Sequence, residues 1–185
     1  MSIQNYVCGF DEVGRGAIAG PVVVASVFFY NYSDIPIGIK DSKKISADKR
    51  LILFKKIKRV AKVGLGIVMP NIIDKIGISK ATNLAAQQSI PQHLSIKKYL
   101  LDGNIKIDTH KSVKNIIKGD ENYVSIAAAS IIAKVTRDKI MVNKNKENNR
   151  YKWDKNKGYG TKDHLLAIKN YGITYYHRKS FNLHI

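Results

Sequence analysis

A long alanine-rich stretch, "YVSIAAASIIAKVTRDKIM" at residues 123–141, restricts the fold more than any other feature of the chain. Its composition predicts a helix of about five turns, because alanine and straight-chain residues favour helix formation. The small side chains would let this helix approach a sheet closely. We therefore expect the stretch to pack in the core against strands supplied by other segments.

Strand-like and helical segments alternate along the rest of the chain. The run "PVVVASVFFY" at 21–30 is β-branched and aromatic, and it predicts a strand. This alternation indicates an α/β domain built on one sheet. Further strands are predicted at 6–10, 62–69, 97–103 and 113–120. Helices are predicted after the N-caps Ser46 and Thr161 and over 79–93. Loops are predicted at 31–44 and 143–161.

The charge of the chain points to a polyanionic partner. Its 185 residues include 32 lysines and arginines against 14 acidic residues, which gives a formal net charge of +18. A globular protein this basic commonly binds nucleic acid. The alternative is a compositional skew, since lysine, isoleucine and asparagine are all abundant, with the excess charge spread over a solvated surface.

Cysteine usage and hydropathy exclude several classes. The single cysteine, Cys8, excludes an intrachain disulfide and a cysteine-cluster zinc site, and its apolar neighbours predict a buried thiol. The longest apolar stretch, residues 17–30, is interrupted by Gly20, Pro21 and Ser26 and is too short to span a bilayer. We expect a cytoplasmic protein without a membrane partner.

Four acidic residues share one pattern in a chain that is otherwise poor in acid. Asp11 and Glu12 follow the first predicted strand, Asp102 ends another and Asp120 a third. Each could alternatively belong to an ordinary turn. Carboxylates at strand ends can converge on one edge of a sheet, and all-oxygen ligation selects hard cations such as Mg²⁺ or Mn²⁺. Two such ions about 3.5–4 Å apart can hold the attacking and leaving oxygens of a phosphoryl displacement.

A glycine-bracketed arginine follows the first two acids. Gly14, Gly16 and Ala19 fit a dinucleotide-binding fingerprint loosely, but that fingerprint requires a helix next. Here Pro21 and a β-branched run follow, which favour a strand. We expect the glycines instead to let the chain approach a sugar-phosphate backbone closely, with Arg15 and the glycine amides facing phosphate.

Together these motifs resemble the ribonuclease HII (type 2 ribonuclease H) family. The similarity covers nearly the whole chain in the family's order. Two of the similar segments, "GFDEVGRGAIAGPVVVA" and "KGDENYVSIAAASIIAKVTRD", are long enough to be highly specific. It implies a ribonuclease H-like fold, with a central mixed β-sheet flanked by helices. The resembling segments are "GFDEVGRGAIAGPVVVA", "DSKKIS", "LLDG", "KGDENYVSIAAASIIAKVTRD", "GYGTKDH" and "HRKSF".

The resemblance also implies an activity. Members of the family hydrolyse the RNA strand of RNA/DNA hybrids and cut on the 5′ side of single ribonucleotides in duplex DNA. Two divalent ions, Mg²⁺ or Mn²⁺, would serve hydrolysis to a 5′-phosphate and a 3′-hydroxyl. The 2′-hydroxyl is then read as a label, because it alone distinguishes RNA from DNA locally.

Residue roles carry over onto matching positions. The four metal-binding and catalytic acids of the family fall on Asp11, Glu12, Asp102 and Asp120. The substrate-contacting "GRG" motif falls on Gly14, Arg15 and Gly16, and the tyrosine that senses the ribonucleotide falls on Tyr159.

Three further residues are candidates for phosphate contact. Ser42 and Lys43 could touch phosphate, or could lie in a solvated loop before a helix. Ser125 and the amides at the start of the alanine-rich helix could also face phosphate, or Ser125 could be an ordinary early-helix serine.

The remaining conspicuous polar residues have structural interpretations. Arg137 and Asp138 suggest a local ion pair or a helix-end feature. His177 and Arg178 are expected to be structural or peripheral to the substrate. The other four histidines show no ligand spacing and predict surface or packing positions; they are His93, His110, His164 and His184.

Two other functions remain open from the residues alone. A nucleic-acid-binding protein without catalysis would keep the basic surface, although four acids facing phosphate would not help it. A metal-independent ribonuclease would need a histidine pair and would leave a 2′,3′-cyclic phosphate.

We expect a monomer in which residues 1–185 form one catalytic domain, with a C-terminal segment, about 161–185, packing on it.

Overall fold

A computed structural model describes residues 6–93 and 95–183 of the chain. One five-stranded sheet lies at its centre, with strand order β3-β2-β1-β4-β5. β1–β2 and β2–β3 are antiparallel, whereas β1–β4 and β4–β5 are parallel, so the predicted mixed sheet is confirmed. The strands are β1 Val7–Val13, β2 Val22–Phe29, β3 Ala61–Val68, β4 Lys98–Asp102 and β5 Ser112–Ile116.

Helices cover both faces of the sheet. The helices are α1 Ala47–Val60, α2 Pro70–Ile76, α3 Ile78–Gln88, α4 Gly119–Asn122, α5 Val124–Glu147, α6 Trp153–Asn156 and α7 Lys162–Tyr171. Every residue of β2 is buried. Alternate side chains of this strand enter two apolar cores, one shared with α1 and α5 and the other with α2 and α3. The sheet is therefore enclosed, as expected from a strand that is apolar on both faces.

The alanine-rich helix packs directly on the sheet, as predicted. A side chain at Gly9 of β1 would place its Cβ 2.4 Å from the backbone nitrogen of Ile126 on α5. The helix and strand backbones can approach this closely because Gly9 has no side chain and α5 presents small residues here. This contact fixes the start of α5 beside the strand that carries Asp11 and Glu12.

The helix is longer than predicted, and the loop predicted over 143–161 is largely wrong. α5 continues to Glu147, a 3₁₀ turn spans Asn149–Tyr151, and α6 follows. The Lys144 ammonium lies over the Tyr175 ring, 5.0 Å from its centroid, which ties the polar end of the helix to the C-terminal segment. These tertiary contacts are not readable from a polar, asparagine-rich composition.

Two other predicted boundaries are wrong. The helix predicted over 79–93 starts at Ile78 and ends at Gln88. A second short helix, α2, precedes it and is not predicted from the sequence. Gly77, at φ +78°, separates the two helices. The strand predicted over 113–120 ends at Ile116. Lys118 then adopts a left-handed conformation, and Asp120 lies in the first turn of α4 instead of at a strand end.

Candidate metal and nucleic-acid site

Strand register brings three of the four predicted acids together. The parallel pairing of β1 with β4 sets Phe10 opposite Leu101, so the next residues along the strands, Asp11 and Asp102, lie side by side. Asp11, Glu12 and Asp102 each offer a carboxylate oxygen within 4.8 Å of the others, and these three residues are called the acidic cluster below. Asp11 and Glu12 lie within β1, not after it, because β1 continues its pairing with β2 to Val13.

Asp11 is the most enclosed member of the acidic cluster. Its Oδ1 accepts a hydrogen bond from the Glu12 amide at 2.8 Å. Burial raises the pKa of Asp11 well above its usual range, and the negative charges of Glu12 and Asp102 raise it further. The Ser130 hydroxyl opposes the shift. This carboxylate therefore needs a nearby positive charge to stay ionised.

Glu12 also needs a nearby positive charge to stay ionised. Burial raises its pKa, whereas the Arg15 guanidinium lowers it. Arg15 Nε lies 3.9 Å from Glu12 Oε1. The other oxygen, Oε2, is buried and has no hydrogen-bond partner among the described residues. An orphaned carboxylate oxygen beside two further carboxylates fits a hard divalent cation.

Asp102 is oriented by a backbone amide. Its Oδ1 accepts a hydrogen bond from the amide of Gly119 at 2.7 Å. A Cβ on Gly119 would lie 2.5 Å from Ile126 Cδ1 and 3.1 Å from Asp102 Oδ1, so glycine makes this approach easy. The α4 turn is thereby held against the end of β4.

Asp120 lies beside the acidic cluster but is not within its 4.8 Å grouping. Burial raises the pKa of Asp120, and the charges of Asp41 and Asp102 raise it as well, while Lys43 lowers it. The fourth predicted acid is thus close enough to sense the cluster. It faces a fifth carboxylate, Asp41, that sequence reasoning missed.

Asp41 belongs to the "DSKK" turn. It is buried, and its side chain accepts a hydrogen bond from the Lys43 amide at 2.9 Å, capping a 3₁₀ turn over Ser42–Lys44. The sequence contains a signal for this cap, since aspartate followed by serine and lysine favours such turns. Nothing local in the sequence indicates that the turn meets Asp120.

Ser42, Lys43 and Ser125 have different surroundings. Ser42 is buried, with its Oγ 2.7 Å from the Oγ of Ser130, the serine whose hydroxyl lowers the pKa of Asp11. Lys43 is exposed, and its charge reaches both Glu12 and Asp120. Ser125 is buried against Gly9. Their phosphate contacts stay predictions.

The two glycines of the "GRG" motif differ in what requires them. Gly14 has φ +92°, and a Cβ there would lie 2.2 Å from Arg137 Nε. Gly16 is exposed, has no positive φ, and would have no described atom within 4 Å of an added Cβ. Gly14 is explained by the fold, whereas Gly16 faces open space beside Arg15.

Arg137 connects this loop to the segment that carries Tyr159. It is fully buried, and its guanidinium donates to the carbonyls of Pro21, Ala19 and Lys157 at 2.8, 3.0 and 2.7 Å. Both alternatives predicted for Arg137 and Asp138 are wrong. The two side chains do not pair, because consecutive helical residues face different directions, and they lie inside α5 instead of at its end. Arg137 points inwards.

Asp138 forms its ion pairs elsewhere. Lys134 Nζ lies 2.8 Å from Asp138 Oδ1, and Arg50 Nη1 lies 3.8 Å from Oδ2. The Lys134 contact joins successive turns of α5. This partly buried group therefore ties α5 to α1.

Tyr159 is half-buried and lies next to the Arg137 side chain. The Arg137 guanidinium carbon lies 5.4 Å from its ring centroid. The carbonyl of Gly158 accepts hydrogen bonds from the amides of Ile18 and Ala19 at 2.9 and 3.1 Å. Tyr159 and the "GRG" loop are thus parts of two hydrogen-bonded segments.

The C-terminal histidine and arginine hold that loop from the other side. Arg178 Nε donates to the Gly20 carbonyl at 3.0 Å, and its Nη1 donates to the Arg15 carbonyl at 2.9 Å. His177 forms an isolated bridge with Ala19. Both side chains are buried, which agrees with the structural role predicted for them.

The other histidines are also surface or packing residues where they are described. His110 is exposed, His93 packs against the Phe28 ring at a centroid distance of 4.9 Å, and His164 is fully buried. His184 lies outside the described residues. Across residues 6–93 and 95–183, none of the helices combines the length and apolar character that crossing a membrane requires.

Solved structures define the class of this fold. A chain in the PCNA:RNase HII complex from Archaeoglobus fulgidus has 27% identity and a TM-score of 0.78, and the match covers 96% of this chain and 95% of that one. A ribonuclease H2 from Pyrococcus horikoshii OT3, at 24% identity, has a TM-score of 0.75 over 96% and 94% of the two chains, which supports the fold alone. The fold is that of the ribonuclease H-like nucleases, as predicted.

Sequence comparison then identifies the family. The profile described as Ribonuclease HII matches residues 8–184. A ribonuclease HII of Rickettsia prowazekii (strain Madrid E) is 47% identical over 181 residues, covering 96% of this chain and 92% of that protein. One from Wolbachia pipientis wMel is 46% identical over 180 residues, covering 97% and 91%. The chain belongs to the ribonuclease HII family of hydrolytic nucleases.

Proposed function

We propose that this chain hydrolyses the RNA strand of RNA/DNA hybrids and cuts duplex DNA on the 5′ side of an embedded ribonucleotide, leaving 5′-phosphate and 3′-hydroxyl ends. The observation that carries the proposal is the acidic cluster, whose Glu12 Oε2 has no partner in the described part of the chain, next to an open glycine loop. Family membership supports the substrate class. A pure binding protein would gain nothing from buried carboxylates facing phosphate.

Four carboxylates would hold the divalent ions, Asp11, Glu12, Asp102 and Asp120. The chemistry that bound Mg²⁺ or Mn²⁺ supplies is activation of water and stabilisation of the leaving oxygen. Two carboxylates are fixed in advance, since backbone amides hold one oxygen each of Asp11 and Asp102. Rigid ligands of this kind keep a site organised for the transition state.

Substrate recognition would fall to the adjacent loops. An exposed glycine without a packing role leaves room for a sugar-phosphate backbone at Gly16, with Arg15 beside it. The neighbouring Tyr159 would pack against the sugar or base at the junction. Lys43, Ser42 and Ser125 complete the proposed phosphate contacts, and the net charge of +18 attracts the duplex.

We further propose that residues 1–185 work as a single catalytic domain and as a monomer. The described strands form one sheet that carries Asp11, Glu12 and Asp102. The remaining proposed site residues lie on the adjacent loops and turns, on α4 and at the start of α5. All of the groups invoked for hydrolysis come from one copy of the chain.

The test is cleavage of duplex DNA that contains one ribonucleotide. The wild type should cut 5′ to the ribonucleotide with Mg²⁺ or Mn²⁺ and not with EDTA, and an all-DNA duplex should stay intact. Asp102→Asn should lose nearly all activity because it removes a charge from the acidic cluster. Asp108→Asn, at an exposed residue, is the charge-matched control and should retain activity.

Other outcomes would favour the other functions. Binding without cleavage would support a non-catalytic nucleic-acid-binding protein. Cleavage in EDTA that leaves a 2′,3′-cyclic phosphate would support a histidine-dependent ribonuclease. A fully active Asp102→Asn enzyme would contradict the proposed metal site.

A further inference from the structure

Two histidines and a tryptophan form a buried polar group away from the acidic cluster. His164, His177 and Trp153 are almost completely inaccessible to solvent. His164 Nε2 lies 3.1 Å from His177 Nε2, and the Trp153 indole nitrogen lies 3.1 Å from the same His164 atom. The group joins α7 to the C-terminal segment that contains Arg178.

The partners of each ring nitrogen determine where its proton lies. The indole N–H of Trp153 can only donate, so His164 Nε2 accepts and the proton of His164 is on Nδ1. That Nδ1–H donates to the carbonyl of Tyr159 at 2.9 Å. On the other ring, His177 Nδ1 accepts from the amide of Thr174 at 2.9 Å, so His177 carries its proton on Nε2 and donates to His164.

This assignment gives one continuous direction of donation. The order runs from the Thr174 amide to His177, from His177 to His164, and from His164 to the Tyr159 carbonyl, with Trp153 as a second donor to His164. Burial lowers the pKa of both histidines, that of His177 to about 4, which is consistent with two neutral rings. Protonating either ring would set two N–H groups against each other.

The chain of donors begins and ends at the two segments that flank the proposed ribonucleotide site. At one end, the Tyr159 carbonyl also accepts from the Thr161 amide at 2.8 Å, so its orientation is doubly fixed. At the other end, the backbone around His177 pairs with the loop after the "GRG" motif. The Tyr176 carbonyl accepts from the Gly20 amide, and the Arg178 amide donates to the Ile18 carbonyl, each at 2.8 Å.

We propose that His164 and His177 are positioning residues, a neutral pair in fixed and complementary tautomers that holds Tyr159 at a set position relative to residues 14–16. The proposal rests on the proposed function, in which Tyr159 contacts the ribonucleotide. Neither histidine touches the substrate. Their contribution is rigidity between two loops, and it passes through the Tyr159 carbonyl.

Nitrogen-15 NMR of the histidine rings in the wild-type protein tests the arrangement without any substrate. We expect His164 to be protonated on Nδ1 alone and His177 on Nε2 alone at neutral pH. The reverse tautomer on His164, or a charged ring, would overturn the proposal. This measurement does not depend on nuclease activity, so it remains informative if the proposed function fails.

A double-mutant cycle tests the path through Tyr159. His164→Leu removes the donor to the carbonyl and should lower kcat/KM on the single-ribonucleotide duplex about tenfold, whereas His164→Asn keeps an N–H near the Nδ1 position and should recover most of the loss. In a Tyr159→Ala background, His164→Leu should change kcat/KM less than about threefold. Equal losses in both backgrounds would contradict positioning through Tyr159.

Tyr151→Phe is the matched control for stability. It removes a hydrogen bond from the Tyr151 hydroxyl to the Gly172 carbonyl, 2.9 Å long, in the same aromatic group. It should lower the melting temperature and leave kcat/KM nearly unchanged. If the control and His164→Leu lose activity in proportion to stability, or if His164→Asn recovers none, the histidines are structural only. A wild type that cuts no ribonucleotide-containing duplex would instead disprove the proposed function.

Discussion

The guanidinium of Arg137 lies over the ring of Tyr159, 5.4 Å from its centroid. Its nitrogens donate to the carbonyls of Ala19 and Pro21, in the loop after β1, and to that of Lys157, two residues before Tyr159. One buried side chain thereby ties the loop after β1 to the segment that carries Tyr159. A planar guanidinium suits this task because it presents several donors in one rigid fork. The two loops proposed to read the ribonucleotide are therefore held together from inside the protein.

Replacing Arg137 should destabilise the protein. Arg137→Met leaves the buried carbonyls of Ala19 and Pro21 and the partly buried carbonyl of Lys157 without their donor. Each buried group costs about 1–3 kcal/mol, so we expect a loss of about 3 kcal/mol or more. For a chain of this size that corresponds to a melting temperature lower by about 6–12 °C, measured by thermal denaturation. Lys134→Ala, which breaks the partly exposed pair with Asp138, is the control and should lower stability by less than about 1 kcal/mol. Equal shifts for the two variants would argue against a stabilising role of the three hydrogen bonds from Arg137.

The two glycines of the "GRG" motif should separate folding from substrate binding. Gly14→Ala forces a side chain into a left-handed backbone and against Arg137, and should destabilise the fold by about 1–3 kcal/mol. Gly16→Ala meets no described atom and should leave the melting temperature unchanged. If the substrate backbone occupies that space, Gly16→Ala should lower kcat/KM by about 10–100-fold. A stable and fully active Gly16→Ala enzyme would show that nothing approaches there.

The acidic cluster should reduce the stability of the metal-free protein. The folded-state pKa of Asp11 is raised by burial and by its acidic neighbours, so the folded state binds more protons than the unfolded state above the ordinary carboxyl pKa of about 4. The folding stability in EDTA should therefore fall as pH rises from about 4 through the raised folded pKa. At pH 7 in EDTA, Asp11→Asn should melt at a higher temperature than the wild type while lacking activity.

Adding divalent ions should reverse that order. Mg²⁺ or Mn²⁺ should raise the melting temperature of the wild type because the ions bind the folded state, and should raise that of Asp11→Asn much less. Differential scanning calorimetry at several metal concentrations measures both effects. A wild type that is insensitive to metal and more stable than Asp11→Asn in EDTA would contradict a metal site built on Asp11.

Much of the site follows from the sequence because the apolar strands, and the acids at or near their ends, are local patterns along the chain. Apolar strands bounded by acids predict that Asp11 and Asp102 meet, since neighbouring parallel strands end at one edge. The sequence predicts Asp120 at the end of a strand, whereas it lies in α4, close enough to Asp102 to sense its charge. The left-handed Lys118 that precedes α4 has no clear sequence signal. Asp41 and the inward direction of Arg137 depend on how a loop and a helix pack, which the chain's local pattern does not encode.

The salt dependence of binding should reveal how much of the net charge faces the duplex. Each phosphate neutralised by lysine or arginine releases counterions, so about five contacts give a slope of log affinity against log salt near −4 to −5. Asp102→Asn permits the measurement on uncut single-ribonucleotide duplex by fluorescence anisotropy between low and physiological salt. Lys43→Ala removes one predicted phosphate contact and should make the slope shallower by about 1. Lys134→Ala, whose charge is paired with Asp138, should leave the slope unchanged. A flat response in the parent protein would mean that the excess lysines lie away from the substrate and that the basic character of the chain reflects composition instead of function.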